Sequence, residues 1–230
     1  MMDEGCVLAS CLHGGAIPLA EALDAEAYPA WLETQCDLPA GTVARALQAL
    51  CREYGSCGVM AVDDGQVVGK VRFGPTEVCD DIPFCAQQMP DRLAALAAGA
   101  LPKRTELTRE SLSILCLQLT SEHRGRGIAT AMVRRVIAWA REGGWEEIRA
   151  KATRPIPPLI EWTGMFSLHA YEKLGFGRTG QAVAFSEMVD GVRSMRAGHH
   201  GEDVREQWAP FAGLSDEEAA EVYPVVLCLR

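Results

Sequence analysis

Two glycines alternate with two arginines at residues 124–127, in the order Arg-Gly-Arg-Gly. An apolar run, SLSILCLQL, occupies residues 111–119 before this segment, and a helical pattern follows the segment directly. Glycine lets backbone N–H groups approach a ligand with no Cβ in the way, and the first turn of a helix offers unpaired N–H donors and a positive partial charge. The sequence therefore predicts a site for a phosphate group.

The charge distribution favours a small anionic ligand at the same place. The 230 residues carry a net charge of −9, which argues against a nucleic-acid-binding surface spread over the protein. Between Arg124 and Arg154, eight basic residues stand against three acidic ones, so this stretch carries +5 and the remainder −14. A nucleic-acid-binding protein that uses the basic stretch is the weakest interpretation, and we expect no nucleic-acid partner.

The composition is that of a folded globular protein, with 48% hydrophobic and 23% charged residues. No apolar run approaches the roughly 18 residues that cross a bilayer, and the acidic start MMDEG differs from a secretory leader. We therefore expect one main domain over residues 1–230, located in the cytoplasm, with no membrane partner. Nine cysteines without a zinc-ribbon CxxC pair indicate neither a disulfide framework nor a structural zinc site.

The elements before the apolar run are a strand, a helix and a hairpin. The first 55 residues read as helical after an opening strand predicted at 6–12, because apolar residues recur at helical spacing between Val43 and Tyr54. Gly55 is expected to end that helix. Residues 57–74 read as a β-hairpin around the turn Asp63-Asp64-Gly65. Residues 75–110 look like an insertion with a short helix at 92–100, and its role does not follow from the sequence.

The apolar run at 111–119 is typical of a central strand covered on both faces. The helix after the glycines ends at Gly143-Gly144, and its apolar face contains Ile128, Met132, Val133, Val136, Ile137 and Ala140. The later predicted elements are a strand at 147–152, a short helix at 166–174, and strands at 182–189 and 222–229. Residues 190–208 are polar and contain glycine, which predicts a mobile loop, and Ser215 with Glu218 predicts a capping box.

Two segments resemble one known family, the GNAT superfamily of acyl-coenzyme A dependent N-acyltransferases. Residues 124–129, RGRGIA, resemble its Q/R-x-x-G-x-G/A signature, and residues 167–176, SLHAYEKLGF, are similar to its later helix. No GxGxxG or GxxxxGK[ST] pattern supports another phosphate-binding loop. The resemblance implies an α/β (α+β) fold with a mixed, mostly antiparallel central sheet flanked by helices. It also implies acetyl-CoA or another acyl-CoA as cosubstrate and transfer of its acyl group to a primary amine.

The resemblance also assigns roles to individual residues. In the family the signature binds the coenzyme A pyrophosphate through main-chain amides, and the preceding strand pairs with pantetheine. By this similarity the Leu119 amide polarises the acyl carbonyl, and Tyr171 is the general acid that protonates the departing thiolate. The implied cofactor contacts are Leu117, Gln118, Leu119, Arg124, Gly125, Arg126, Gly127, Ile128, Ala129, Thr130, Ser167 and Tyr171.

The sequence departs from the family at Gly164, where many members carry Asn, and Ser167 stands where Ala is common. The general base stays open among Glu77, Glu110, Glu122 and Glu161. These gaps leave an alternative, a catalytically silent GNAT fold that binds acyl-CoA as a sensor or interaction module. The acceptor is expected to be a small-molecule or peptide amine whose identity is left open, as is the formation of a homodimer. The inserts at 75–110 and 153–165 are expected to shape the acceptor pocket, with Trp162 lining it.

Other reactive side chains have weaker interpretations. His199 and His200 lack partners at metal-ligand spacing, so we expect no metal site. Cys79 and Cys85 in the insertion favour two ordinary thiols over a reactive or metal-binding pair. Trp139 and Met132 are best interpreted as residues that pack the central helix.

Overall fold

The computed structural model describes residues 6–10, 39, 41–64, 66–79, 94–108, 110–199 and 202–230. By their contacts they divide into two compact units. The first contains the described residues up to Glu146 together with Leu229, and the second contains Glu147–Cys228 and Arg230. A single domain over the whole chain stays a prediction.

The first unit contains four antiparallel strands in the order in which they occur in the chain. They are β1 (Cys6–Ser10), β2 (Gly58–Asp63), β3 (Gln66–Pro75) and β4 (Ser111–Leu119). The predicted opening strand, the hairpin and the apolar strand are thus confirmed, although residues 11 and 12 lie outside the described residues. At the hairpin turn Asp64 takes the positive φ, 46°, and Gly65 lies outside the described residues.

Helices α1 (Thr42–Tyr54), α2 (Thr76–Cys79) and α3 (Ile128–Glu142) accompany these strands. Helix α1 ends at Gly55, whose φ is 87° and whose N–H donates to the carbonyl of Cys51 at 2.9 Å, as predicted. The six predicted apolar residues of α3 are buried, and α3 packs against β2, β3 and β4. Each buried Ile, Met or Val side chain of this face contributes about 1.5–3 kcal/mol relative to exposure. The packing of α3 therefore holds the turn that leads into it in place.

Part of the predicted insertion at 75–110 is described. Strand β3 continues to Pro75, α2 follows it, residues 94–97 are helical, and Arg104–Glu106 form a 3-10 turn. Within the described residues, the helix predicted at 92–100 therefore covers only residues 94–97. Residues 80–93 and 109 lie outside the described residues, and the role of the insertion stays open.

The second unit is built on β5 (Glu147–Thr153) and β9 (Glu221–Cys228), which pair antiparallel with Glu147 opposite Cys228. Three short strands complete its sheet: β6 (Phe166–Ser167), parallel to β5, and β7 (Gly177–Arg178) and β8 (Val183–Ala184), both antiparallel to β9. The helices are α4 (Pro157–Thr163), α5 (Leu168–Lys173), α6 (Ser186–Arg196), α7 (Glu202–Gln207) and α8 (Asp216–Ala219). The predicted capping box of Ser215 and Glu218 is present at the start of α8.

The predicted loop at 190–208 is wrong, because α6 covers residues 186–196 and α7 covers residues 202–207. The predicted strand at 182–189 is also wrong beyond β8, since α6 begins at Ser186. Met188, Val192 and Met195 recur at helical spacing and bury one face of α6 in a cluster that also contains Ile156, Leu159 and Trp208. A second apolar core thus forms where polar residues suggested a loop.

The fold class is confirmed, because the strands of both units are mostly antiparallel and helices accompany them in an α/β (α+β) arrangement. Among the helices in the described part of the chain, none is both long and apolar enough to cross a bilayer.

Candidate active site

The predicted phosphate site lies in the turn that joins β4 to α3. The chain leaves β4 at Leu119 and passes through a 3-10 turn, after which Gly125 has φ 73° and Gly127 has φ 81°. Gly127 is the N-cap of α3, and it brings no side chain that could cap the first-turn N–H groups. The helix therefore begins with backbone donors that a ligand can satisfy.

The space in front of these glycines is open. A Cβ built on Gly125 or on Gly127 would meet no atom of the described chain within 4 Å. Ile128 is buried and packs as the first core residue of α3, whereas Ala129 and Thr130 are half-buried. Any contribution of Ile128 to binding must therefore come from its backbone, while the turn as a whole fits an anion such as a pyrophosphate.

The hydrogen bonds of β4 show which backbone groups face the strand's other edge. The N–H of Thr120 donates to the carbonyl of Val68 in β3 at 2.9 Å, and Gln118 stands opposite Lys70 of the same strand. Backbone groups alternate between the two edges of a strand, so those of Leu117 and Leu119 point away from β3. The backbone groups of Leu117 and Leu119 can therefore pair with a ligand at that edge, as the resemblance to the family implies. The backbone groups of Gln118 point toward β3 instead.

Arg124 connects the turn to the end of β4. Its guanidinium donates a long hydrogen bond of 3.4 Å to the carbonyl of Leu119, on the edge away from β3. The Arg124 side chain is exposed and that of Arg126 is half-buried. Both cations thus flank the glycines, as their positions in the sequence predict.

A pair of side chains that no sequence pattern indicated, His123 and Asp63, holds this turn in place. His123 Nε2 lies 2.9 Å from Asp63 Oδ2, at the end of β2, and His123 Nδ1 lies 2.7 Å from Thr120 Oγ1. Because 60 residues separate Asp63 from His123, no local pattern indicates the contact. The pair attaches the β4–α3 turn to the β2–β3 hairpin.

Gly69 is a second residue that sequence analysis overlooked. It stands opposite Leu119 in the pairing of β3 with β4. A Cβ at Gly69 would lie 2.7 Å from Cδ1 of Leu119, 3.1 Å from Cε of Met132 and 3.2 Å from the carbonyl oxygen of Gln118. A glycine inside a strand pattern is the only signal for such a close approach.

We expect Gly69→Ala to lower the free energy of unfolding by about 1–3 kcal/mol, because the added methyl group overpacks the end of β4. The matched control is Gly177→Ala in β7, where a Cβ meets nothing within 4 Å. Urea unfolding of both variants measures the difference. Equal stability of the two variants would contradict the close packing at Gly69.

Tyr171 lies in α5 of the second unit and is only 1% exposed. Its ring packs edge-on against Phe166 at a centroid distance of 5.3 Å and in a tilted arrangement against Phe176 at 4.8 Å. Ser167 is the N-cap of α5, and its hydroxyl accepts a hydrogen bond from the N–H of Ala170 at 3.3 Å. The cap and the two rings fix the position of Tyr171, and Ser167 has a structural role besides its predicted cofactor contact.

The departure from the family at Gly164 has a structural explanation. Gly164 ends α4 with φ 64°, and its N–H donates to the carbonyl of Ile160 at 3.0 Å. Glycine adopts this left-handed conformation without strain. The residue at this position therefore serves the end of α4, and no side chain extends from it.

Two of the four general-base candidates lie at the end of β4 that is opposite to Leu119. Glu110 directly precedes β4, nine residues before Leu119, which corresponds to about 30 Å of extended chain. Glu77 follows Pro75, which pairs with Leu112 at the same end of the sheet. These positions argue against Glu77 and Glu110 as bases acting near Leu119.

The remaining two candidates stay predictions. Glu122 is exposed in the 3-10 turn beside the glycines, and Glu161 is exposed on α4 in the second unit. Exposed carboxylates are most often solvated surface groups. The general base is thus unassigned.

A carboxylate that sequence analysis did not consider, Glu221, lies at the start of β9. It accepts a hydrogen bond from the Tyr223 hydroxyl and pairs with Arg154, whose Nε also donates to the carbonyl of Glu218 at 2.7 Å. The hydrogen bond from Tyr223, together with Arg154, lowers the pKa of Glu221. A carboxylate with a lowered pKa is a weaker base, so this cluster acts as a structural connection.

Three further side chains considered in the sequence, Trp139, Met132 and Trp162, are described by the structure. Trp139 packs on Phe73 at 5.0 Å, and Met132 is fully buried, which confirms both as packing residues. Trp162 is 45% exposed, and its predicted place in an acceptor pocket stays a prediction.

The two pairs for which the sequence argued against metal binding, His199 with His200 and Cys79 with Cys85, are only partly described. Cys79 is buried and His199 is exposed, whereas Cys85 and His200 lie outside the described residues. Within the described ranges no three His, Cys, Asp or Glu side chains form a group that could hold a metal ion.

Comparison with known proteins identifies related chains. The sequence profile of the Acetyltransferase (GNAT) family matches residues 19–176, which include the β4–α3 turn and α5. Human N-acetyltransferase 8B is 36% identical over 95 residues, 40% of this chain and 38% of that protein. Human N-acetyltransferase 8 is 39% identical over 88 residues, 36% of this chain and 34% of that protein. The matches thus span less than two fifths of these relatives' length.

Solved structures of low sequence identity share the fold. The yncA protein of Salmonella typhimurium, solved with its cofactor acetyl-CoA, has a TM-score of 0.53 at 13% identity and covers 99% of this chain and 95% of its own. A GNAT acetyltransferase of Streptococcus pneumoniae has a TM-score of 0.51 at 13% identity, covering 97% and 98%. The fold agrees with the sequence profile, which spans well over half of the chain. This protein therefore belongs to the GNAT family of acetyltransferases.

Proposed function

We propose that the chain transfers an acetyl group from acetyl-CoA to a primary amine, and that the amine attacks the thioester directly. The β4–α3 turn carries this proposal. Gly125 and Gly127 leave the N-terminal donors of α3 accessible, with Arg124 and Arg126 beside them. Backbone N–H groups and positive charge at a helix N-terminus are what a pyrophosphate requires.

The backbone of β4 would hold the acyl end of the cosubstrate. Leu117 and Leu119 direct their N–H and carbonyl groups away from β3, so these groups can pair with the amides of pantetheine as a neighbouring strand would. The N–H of Leu119 would donate to the carbonyl oxygen of the thioester. Charge develops on that oxygen as the amine attacks, and a fixed donor stabilises it.

Tyr171 would supply the proton that the departing thiolate takes up. A phenol is protonated at neutral pH and can donate to a sulfur anion. Packing against Phe166 and Phe176 holds the Tyr171 ring in one position, which favours a positioned donor over a mobile one. The acetyl thioester supplies the activated acyl group, and the chain orients it, polarises it and protonates its leaving group.

The acceptor would be a primary amine of a small molecule or a peptide. The net charge of −9 is compatible with a cationic acceptor but does not select one. The amine must lose a proton to react, and with no assigned carboxylate we propose that water molecules remove it. A cytoplasmic location and a homodimer belong to the same proposal.

A steady-state assay with an amine panel tests the reaction. The full chain is mixed with acetyl-CoA and, in turn, a polyamine, amino acids, an aminoglycoside and a peptide with a free N-terminus, and released thiol is measured. We expect at least one amine to accelerate thiol release above the rate without amine. Binding of acetyl-CoA without acceleration by any amine would favour the silent acyl-CoA-binding alternative, and absence of binding would overturn the cofactor assignment.

The contact between Asp63 and His123 leads to a prediction for cofactor affinity. We expect Asp63→Asn to raise the Kd for acetyl-CoA roughly threefold to tenfold, because the hydrogen bond that anchors the turn loses its charged acceptor. The control is Asp190→Asn, which makes the same change at the exposed pair of Asp190 with Arg193. Calorimetric titration of both variants gives the comparison, and equal Kd values would count against the anchoring role.

A further inference from the structure

Two cysteines of the first unit lie unusually close together. Cys51 is in the last turn of α1, Cys57 directly precedes β2, and their Sγ atoms are 3.0 Å apart. Cys57 is buried and Cys51 is half-buried. The acetyl-transfer proposal uses neither thiol.

Backbone hydrogen bonds on both sides of the pair fix this geometry. The chain turns at Gly55, whose N–H donates to the carbonyl of Cys51 at 2.9 Å. The carbonyl of Cys57 accepts the N–H of Phe73 in β3 at 3.0 Å. Because the helix end and the start of the hairpin are both held, the two thiols are held opposite each other.

The two thiols differ in reactivity. The hydrogen bond from Cys57 lowers the pKa of Cys51, although burial acts in the opposite direction. A thiolate is the nucleophilic form of cysteine, and Cys51 is also the more accessible of the two. An accessible thiol with a lowered pKa next to a second thiol is the arrangement found in redox-sensitive cysteine pairs.

We propose that Cys51 and Cys57 form an oxidative modification site, which a small peroxide converts from a dithiol to a disulfide. The Cys51 sulfur attacks one peroxide oxygen, the O–O bond breaks, and the first water leaves after protonation. The Cys57 sulfur then attacks the sulfenic sulfur of Cys51, the S–S bond forms, and the second water leaves. The two thiols lose two electrons and two protons in total, and the peroxide becomes two water molecules.

The movement that this reaction requires is small. A disulfide bond is about 2.05 Å long, so the two Sγ atoms must approach by only about 1 Å. A dithiol reductant would reverse the modification by thiol–disulfide exchange. The site is independent of the proposed acetyl transfer, and its test needs no cosubstrate.

The sequence around the pair allows direct mapping by mass spectrometry. Trypsin cleaves after Arg45, Arg52 and Lys70, which places Cys51 in peptide 46–52 and Cys57 in peptide 53–70. Neither peptide contains another cysteine. A disulfide between the two residues therefore appears as two peptides joined in one species.

The experiment treats the full-length reduced protein with one equivalent of hydrogen peroxide, blocks the remaining thiols with N-ethylmaleimide and digests without reductant. We expect the joined species to form, to lose two hydrogens relative to the separate peptides, and to disappear with dithiothreitol. The exposed Cys228 is the internal control and should stay alkylated by maleimide. Recovery of both peptides in alkylated form, or oxidation of Cys228 ahead of the pair, would overturn the proposal.

Single variants test the order of the two steps. In Cys57→Ser the second step is blocked, so we expect a sulfenic acid at Cys51 that dimedone traps. In Cys51→Ser we expect no rapid dimedone product at Cys57, because that thiol is buried. Joining of Cys51 to any cysteine other than Cys57 in the wild-type chain would contradict the pair, and this result does not depend on whether either variant folds.

Discussion

Tyr171→Phe is expected to lower kcat by about 100-fold to 10,000-fold, the range that a positioned general acid contributes. The substitution removes only the phenolic oxygen and leaves the ring that packs between Phe166 and Phe176. We therefore expect the fold and the Kd for acetyl-CoA to stay unchanged. Steady-state assays of thiol release with the best amine of the panel measure kcat, and titration calorimetry measures the Kd for acetyl-CoA.

Tyr223→Phe is the matched control, since it removes a phenolic oxygen from the same unit. Its hydroxyl donates to Glu221 and has no part in the proposed reaction. A stability loss without a large change in kcat is expected there. If Tyr171→Phe retains near-full turnover, or if both variants lose the same fraction of kcat, the proposed acid role of Tyr171 fails.

Local sequence patterns were sufficient to predict the two elements that flank the β4–α3 turn. The apolar run predicted β4 with its observed bounds, and the six apolar positions predicted the buried face of α3. Both patterns arise because a side chain's direction repeats with the period of the element that carries it. Gly55 likewise ended α1 as predicted, because a left-handed helix end favours glycine.

The prediction of a loop at 190–208 is wrong because Gly191 contacts Trp162, a residue distant in the sequence. Gly191 suggested a loop, yet it lies inside α6, where a Cβ would stand 2.3 Å from the ring of Trp162. The glycine therefore makes room for an aromatic ring, and the charged residues around it occupy the exposed side of the helix. Sequence periodicity alone gives no means of distinguishing a packing glycine from a loop glycine.

The candidate site shows the same division between local and long-range information. Gly125 and Gly127 were found because glycine spacing and helix start are local features. The Asp63–His123 contact and the approach of Gly69 to Leu119 depend on strand register, which brings together residues that are distant in sequence. The general base stays unassigned because its role depends on distances that residue types do not specify.

Gly125→Ala is expected to raise the Kd for acetyl-CoA roughly tenfold to a hundredfold. Gly125 has φ 73°, a conformation that costs an alanine about 1–2 kcal/mol, so the altered turn would present its amides less well. Loss of one hydrogen bond to a charged phosphate oxygen, worth about 1.5–3 kcal/mol, corresponds to that change in Kd. Titration calorimetry with acetyl-CoA measures it.

Gly144→Ala provides a control at the opposite end of the same helix. Gly144 has the same φ, 73°, and a Cβ there also meets nothing within 4 Å. The two alanines should therefore lower the free energy of unfolding by similar amounts, about 1–2 kcal/mol, while only Gly125→Ala weakens binding. Since backbone strain is matched, any difference in Kd reports on the ligand at the turn, and equal Kd values would place the pyrophosphate elsewhere.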